Sequence, residues 1–184
     1  FRKELAETGF TGTVIDLESV GDFNDYYFSS DPRRYAFHRA TVFGYLTDGG
    51  LVQYCAEGMN ELPVLVDIIN DVTPSLDSPF YALNCHFERG VFINTCSLVP
   101  EPLIDVRGRN LRGSKWAIRG RLGIPKYDDP FDGDGYKCKE EWEKGNFLDC
   151  LKHNRACLLI ERDILLHNSI NCIKGRGKTF RIVS

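Results

Sequence analysis

The chain lacks any apolar run of the roughly 18 residues that a membrane-spanning helix requires. Its opening residues, Phe1-Arg2-Lys3-Glu4, also lack the charged segment followed by an apolar segment that marks a secretory signal. We therefore expect no membrane partner and a cytoplasmic location. Internal repeats and low-complexity segments are absent too, and the 184 residues are interpreted as a single domain, 1–184, long enough to bury a core.

Paired cysteine motifs are missing, although the chain has seven cysteines. The number is odd, and no two cysteines have the Cys-x-x-Cys spacing that is typical of zinc ligands. This argues against a disulfide framework and against a zinc site, and it favours reduced thiols in the cytoplasm. Cys55 and Cys85 lie in apolar surroundings and are interpreted as small core residues.

A strong net charge is missing as well, because 23 basic and 26 acidic residues leave a formal charge of -3. Basic residues are nevertheless concentrated in one strip, residues 107–126, which contains no acid. Residues 169–184 form a second basic segment, the tail of the chain. Such strips can bind a phosphate backbone, although a solvated helix face is the more common explanation for them.

The spacing of apolar residues predicts a mixed α/β domain with one sheet. Asp48-Gly49-Gly50 is a strong turn signal, so the strands on either side of it are expected to form an antiparallel hairpin. Residues 1–10 are expected to be a polar lead-in. The predicted strands are 12–18, 38–47, 51–55, 80–83 and 103–106. The predicted helices are 61–73, 84–93, 110–123 and 139–168, and the last of them is open to a break at Gly145-Asn146. Loops are expected at 21–36 and 125–138.

Two carboxylates, Asp16 and Glu18, lie two residues apart on the first predicted strand. At that spacing both side chains point to the same face of the strand. Carboxylates this close repel each other and cost free energy to desolvate, and a divalent cation such as Mg²⁺ or Mn²⁺ would offset that cost. The alternative is a strand end at which both acids reach water.

Two further motifs follow. Asn84-Cys85-His86-Phe87-Glu88 comes directly after the fourth predicted strand, and His153-Asn154-Arg155-Ala156-Cys157 lies on the last predicted helix. With Asp16-Leu17-Glu18, these motifs resemble in order the three acidic blocks of the DnaQ-type 3′–5′ exonucleases, and most closely the YprB-type ribonuclease H-like domains. The resemblance covers about residues 10–168. It implies a ribonuclease H-like mixed sheet, an antiparallel hairpin plus parallel strands, flanked by helices.

The resemblance also implies an activity, the hydrolysis of phosphodiester bonds from a single-stranded 3′ end of DNA or RNA. Two Mg²⁺ or Mn²⁺ ions would be bound by Asp16, Glu18 and Glu88, and would polarise the attacking water and the leaving oxygen. His153 would orient or deprotonate that water. The residues implied in substrate binding, or proposed to guide the strand through phosphate contacts, are Ser19, Asn84, Arg107, Arg109 and Arg112.

Two positions depart from the family pattern. Glu88 stands where the family has Asp, which makes the side chain one methylene longer. Cys157 stands where the last metal-binding Asp belongs, and a thiol is a poor ligand for Mg²⁺. Glu161, one helical turn after Cys157, and Asp149, one turn before His153, are the acids that could replace it.

Other interpretations stay open. Cys157 favours a catalytically degenerate nucleic-acid-binding or assembly module on the same fold, with protein partners that the sequence does not identify. A different α/β hydrolase would be favoured if residues 16, 18 and 88 lay far apart. His38 and His86 are interpreted as structural or surface residues. The Asp128–Asp134 cluster lacks the ligand spacing of an EF-hand and is interpreted as a turn-rich loop.

Overall fold

The computed structural model describes residues 1–6, 8–96, 98–108 and 111–176, with only the backbone given for 169–176. The strands are β1 (Arg2–Glu4), β2 (Thr13–Val20), β3 (Arg39–Thr47), β4 (Gly50–Cys55), β5 (Phe80–Ala82) and β6 (Leu103–Asp105). The α-helices are α1 (Leu62–Val72), α2 (Cys85–Thr95), α3 (Lys115–Leu122), α4 (Gly135–Glu143) and α5 (Phe147–Arg176). Within these ranges, no helix has both the length and the apolar character needed to cross a membrane.

All six strands belong to one sheet with the order β1-β4-β3-β2-β5-β6. The first four in this order pair antiparallel, whereas β5 pairs parallel with both β2 and β6. The predicted class, α/β with an antiparallel hairpin plus parallel strands flanked by helices, is therefore confirmed. The ribonuclease H-like identity of this sheet stays a prediction.

Strand β2 lies inside the sheet and positions both acids of the first motif. Val14 belongs to the hydrophobic cluster that residues of α5 complete. Ile15 and Leu17 belong to the other cluster, which residues of α1 and α2 complete. Because successive side chains of a strand point to opposite faces, Asp16 and Glu18 share the face of Val14 and are directed towards α5.

A glycine allows α5 to approach the sheet closely at this point. Gly44 of β3 is the pairing partner of Asp16. A Cβ atom on Gly44 would lie 2.2 Å from Asn154 Oδ1 and 2.7 Å from Leu158 Cδ1, both on α5. The missing side chain therefore makes the room in which Asn154 reaches Asp16.

The predicted polar lead-in at 1–10 is wrong in part, because Arg2–Glu4 forms the edge strand β1. The backbone of these residues pairs with the otherwise free edge of β4, with Arg2 opposite Gln53. Glu4 is then fixed by Arg155 of α5, whose Nε lies 2.7 Å from Glu4 Oε2. A short charged strand of this kind is a common way to end a sheet.

The helix predicted for 139–168 is broken at Gly145-Asn146, the point left open in the prediction, and forms two helices, α4 and α5, because Gly145 adopts a positive φ of 87°. Helix α4 starts inside the predicted loop 125–138, since the Asp134 side chain accepts hydrogen bonds from the first backbone N–H groups of the helix. Helix α3 starts at Lys115 rather than at 110, because Ser114 caps it in the same way.

Candidate functional site

A cavity of about 300 Å³ lies where β2, the start of α2, the start of α3, α4 and α5 meet. Three of these elements carry residues that the sequence singled out, namely the two acids of β2, Glu88 of α2 and His153 of α5. Ser19 and Asn84 also line it. The three carboxylates at 16, 18 and 88 thus share one cavity, as the resemblance implies, which removes the reason for assigning a different α/β hydrolase.

Asp16 is 4% exposed, and two side chains contact its carboxylate directly. Its Oδ1 lies 2.7 Å from the Lys115 ammonium, and its Oδ2 accepts a hydrogen bond of 2.8 Å from Asn154 Nδ2. The Asn154 amide is held in turn by Gln53 of β4, whose Nε2 donates to Asn154 Oδ1 at 2.7 Å. The carboxylate is therefore preorganised before any ligand arrives.

Lys115 connects Asp16 to a second buried acid, because its Nζ also lies 2.6 Å from Glu161 Oε1. Burial lowers the pKa of Lys115, but Asp16, Cys157 and Glu161 outweigh burial and hold that pKa well above its ordinary value. Burial raises the pKa of Glu161 to about 8. The proposed replacement acid at 161 therefore lies behind Lys115 rather than on the cavity wall.

His153 has both ring nitrogens near acids. Its Nδ1 lies 2.8 Å from Asp129 Oδ1, and its Nε2 lies 3.6 Å from Glu18 Oε1. Asp129 accepts two more hydrogen bonds, from the backbone N–H groups of Phe131 and Gly133. Because an ionised carboxylate only accepts, Nδ1 is the donor, and Nε2 faces Glu18 and the cavity.

The contacts of the His153 ring determine the protonation states of His153 and Asp129. Burial lowers the pKa of His153, but the Glu18 carboxylate and the hydrogen bond with Asp129 outweigh burial and raise it. Burial likewise opposes ionisation of Asp129, yet its hydrogen bond with His153 and its backbone donors give it a net lowered pKa. Asp129 is therefore charged at neutral pH and stabilises a protonated imidazole.

Two further groups on the cavity wall are buried without full compensation. Burial raises the pKa of Glu18 well above its ordinary value. Burial, followed by the nearby charges of Glu161 and Asp16, does the same to the pKa of Glu88, which is 4% exposed. Among the described residues, none hydrogen-bonds Glu88 Oε2. An ionised carboxylate in such a place requires a cation.

The cavity wall also includes a serine–histidine contact. Ser19 Oγ lies 2.8 Å from His38 Nδ1, and His38 is 4% exposed. Its Nε2 has no hydrogen-bond partner in the described part of the chain. The interpretation of His38 as structural or surface misses its place beside Ser19 in the cavity, whereas His86 does not line it.

Three further predicted residues, Arg107, Arg112 and Asp149, do not line the cavity. Arg107 is bound to Asp105, with Nε 2.9 Å from Asp105 Oδ1. Arg112 is exposed. Asp149 is bound to Lys152 at 2.7 Å on the outside of α5. Arg109 lies outside the described residues, as do the side chains of the basic tail 169–184, so the predicted basic surface is described only in part.

Sequence reasoning missed two groups of the site, Lys115 and Asp129. Lys115 is one of seven basic residues in the strip 107–126, and nothing in its sequence neighbourhood distinguishes it from the others. Asp129 lies in the Asp-rich loop that was interpreted as a turn, with three further Asp residues between 128 and 134. Only the fold shows which acid of that loop faces His153.

The donor set of the cavity fits a divalent cation. Five buried carboxyl groups, at residues 16, 18, 88, 129 and 161, lie around one ammonium and one imidazole, so acids outnumber bases there. Burial raises the pKa of Glu18, Glu88 and Glu161, and a bound divalent cation would favour their ionised forms. The oxygens of Asp16, Glu18 and Glu88 suit Mg²⁺ or Mn²⁺. Lys115 already supplies one positive charge at Asp16, and a cation bound there would compete with it.

Comparison of the chain with protein-family models, with curated proteins and with solved structures found no match.

Proposed function

We propose that this chain is a metal-dependent 3′–5′ exonuclease with a ribonuclease H-like fold, acting in the cytoplasm on DNA or RNA. The observation that carries the proposal is the convergence of Asp16, Glu18, Glu88 and His153 on one cavity. These residues come from three elements spread over more than a hundred positions of the chain. Their meeting is what the order of the three motifs implies, and it is otherwise unexpected for four polar residues.

In this proposal Asp16, Glu18 and Glu88 bind one or two Mg²⁺ or Mn²⁺ ions. A bound divalent ion neutralises phosphate charge and lowers the pKa of a bound water. Asn154 holds Asp16 in one orientation, so the carboxylate needs little reorganisation when a metal ion displaces Lys115 from it.

His153 moves the proton. Its Nδ1–H stays on Asp129, which leaves Nε2 as the atom that accepts a proton from the attacking water. Because this requires the neutral ring, activity should rise with pH through the raised pKa of His153. Ser19 and Asn84 lie on the cavity wall, where a terminal nucleotide would contact them.

Digestion of a single-stranded oligonucleotide labelled at its 5′ end tests the proposal. With Mg²⁺ or Mn²⁺, the wild-type chain should shorten the strand from its 3′ end, and chelation of the metal should stop it. Asp16→Asn should reduce the rate by at least about 10- to 100-fold, the range found even for residues that only orient a metal ligand, because a charge that binds the metal is lost. The matched control, Asp149→Asn, removes an acid outside the cavity and should leave the rate unchanged.

Two outcomes would contradict the proposal. One is that the wild-type strand stays intact over a range of Mg²⁺ and Mn²⁺ concentrations. The other is that Asp16→Asn digests the strand as fast as wild type, which would place the activity in a contaminant or at another site.

The second candidate function is a catalytically degenerate module that binds nucleic acid or assembles with other proteins. Two observations favour it. The Lys115 ammonium already neutralises Asp16 at 2.7 Å, and Cys157 supplies no hard oxygen ligand. In that case nucleic-acid binding should need no metal and should survive Asp16→Asn, whereas metal-dependent cleavage that this change abolishes would exclude it.

A further inference from the structure

One wall of the cavity brings together three donor atoms of different chemistry, from Glu18, His153 and Cys157. Their ligand atoms all lie within 4.8 Å of one another, and this is the one such group of three among the described residues. His153 Nε2 lies 3.6 Å from Glu18 Oε1 and 3.8 Å from Cys157 Sγ. All three side chains are buried, with 9%, 2% and 4% exposure respectively.

The secondary structure holds these donors in place. His153 and Cys157 lie four residues apart on α5, so their side chains leave the same face of the helix. Glu18 lies on β2, which α5 packs against. The donors therefore belong to two packed, regular elements rather than to loops, and they need little rearrangement to reach a common ion.

The imidazole is already oriented as a ligand. Its Nδ1 donates to Asp129, and Asp129 is itself held by the backbone N–H groups of Phe131 and Gly133. A carboxylate behind the far nitrogen is the usual support of a metal-bound histidine, because it fixes the tautomer and the direction of Nε2. The Asp129–His153 contact thus gives a second, independent indication of a ligand at Nε2.

We infer that Glu18, His153 and Cys157 form a binding position for a transition-metal dication of the Zn²⁺ type. Sulfur and imidazole donors select such ions over Mg²⁺. On binding, the Cys157 thiol, the Nε2 of a protonated His153 and a protonated Glu18 each give their proton to solvent, so that a thiolate, a neutral imidazole and a carboxylate become the ligands. Zn²⁺ takes four ligands, so three protein donors leave one position for water or a substrate oxygen from the cavity.

This inference rests on the proposed function for the role of the cavity, and it adds a transition-metal position beside the Mg²⁺ or Mn²⁺ expected at Asp16 and Glu88. His153 Nε2 acts as the base only while that added position is empty, because a nitrogen bound to a metal ion accepts no proton. The sequence argued against zinc because paired cysteines are missing. The site instead combines one cysteine, Cys157, with His153 one helical turn earlier and with Glu18, which lies 135 residues before His153. In this interpretation Cys157 does not simply remove a ligand from the family pattern. It replaces the last acid of that pattern with a soft sulfur donor, which suits another metal.

Cobalt absorption tests the site directly. The protein is kept reduced with a phosphine and titrated with Co²⁺. The absorption spectrum should develop the near-ultraviolet band of a cobalt–thiolate bond, and the intensity of this band should saturate at one ion per chain. One equivalent of Zn²⁺ should remove the band, and millimolar Mg²⁺ should not. Cys157→Ser should abolish it, whereas Cys55→Ser, which changes a half-buried thiol elsewhere, should keep it.

The role of Asp129 gives a second readout. Asp129→Asn should weaken Zn²⁺ affinity about 10- to 100-fold, the range found when the carboxylate behind a ligating histidine is lost. Unchanged affinity would overturn the role given to Asp129. A wild-type chain with no cobalt–thiolate band, or a band that persists in Cys157→Ser, would overturn the site, and the wild-type result stands even if the variant does not fold.

The band and the digestion assay separate the two proposals. Asp16 is not one of the three donors, so Asp16→Asn should lose digestion and keep the band. A band in a wild-type chain that digests no strand supports the metal position and counts against the exonuclease. Digestion without a band supports the exonuclease and overturns the metal position.

Discussion

Replacing Lys115 by methionine should destabilise the fold strongly at neutral pH and only mildly at acid pH. The ammonium is 18% exposed and contacts Asp16 and Glu161, whose side chains are 5% and 1% exposed. Removing one partner of a buried ion pair costs about 3–5 kcal/mol, because the remaining charge is left without compensation. Methionine keeps most of the volume of the lysine stem, so packing should change little.

The loss of stability in Lys115→Met should depend on pH, because the carboxylate that is left without a partner can also be neutralised by protonation. An ordinary aspartic carboxyl with a pKa of about 3.9 costs about 4 kcal/mol to protonate at pH 7 and about 1.5 kcal/mol at pH 5. Protonation therefore limits the loss in Lys115→Met to about 4 kcal/mol at pH 7 and about 1.5 kcal/mol at pH 5. Either loss is measurable against a total stability of about 5–15 kcal/mol.

Urea unfolding of both chains at the two pH values, followed by circular dichroism, measures these losses. Lys152→Met is the matched control, because Lys152 pairs with Asp149 where both side chains are more than 40% exposed. Its loss should be at most about 1 kcal/mol and independent of pH over this range. Losses in Lys115→Met that are below 1 kcal/mol at pH 7, or equal at the two pH values, would refute the description of a buried charged site.

Three other predictions concern the same region. His153→Gln should lower the digestion rate about 10²- to 10⁴-fold while substrate affinity stays unchanged, and single-turnover kinetics separate the two; an unchanged rate would exclude His153 as the base. Without divalent metal, the free energy of unfolding of the wild type should fall as pH rises from about 5 to 8, by up to about 1.4 kcal/mol per pH unit for each proton. The reason is that Glu18 and Glu161 have raised pKa values, so the folded chain holds protons that the unfolded chain releases. Urea midpoints that rise over this range would contradict the burial of these acids. Gly44→Ala should cost about 1–3 kcal/mol in thermal unfolding because its Cβ would overlap α5, whereas Gly120→Ala, with nothing within 4 Å, should be neutral or stabilising; equal effects would show that α5 does not approach the sheet as closely as described.

The sequence was sufficient to predict most elements and the four residues that meet at the cavity. Alternation on β2 placed Asp16 and Glu18 on one face, and the order of the motifs brought Glu88 and His153 to them. Both inferences depend on local periodicity and on resemblance, which a single chain displays directly. The mixed sheet followed in the same way from the hairpin signal and from the helices between the later strands.

The partners of these residues could not be predicted, because they depend on contacts between distant segments. Lys115 reaches Asp16 across 99 positions, and Asn154 reaches it across 138. Asp129 is selected from an acidic loop only by the way the loop folds against α5. The edge strand β1 was missed for a similar reason, because its three polar residues form a strand only by pairing with the backbone of β4.

The central claim is that the cavity bounded by Asp16, Glu18 and Glu88 binds a divalent cation. The most direct measurement is a crystal structure of the protein with Mn²⁺, using anomalous scattering to locate the ion. We predict an anomalous peak in contact with Asp16 and Glu18, with the Lys115 ammonium displaced from Asp16. A cavity without a peak at saturating Mn²⁺, with Lys115 still 2.7 Å from Asp16, would contradict the claim.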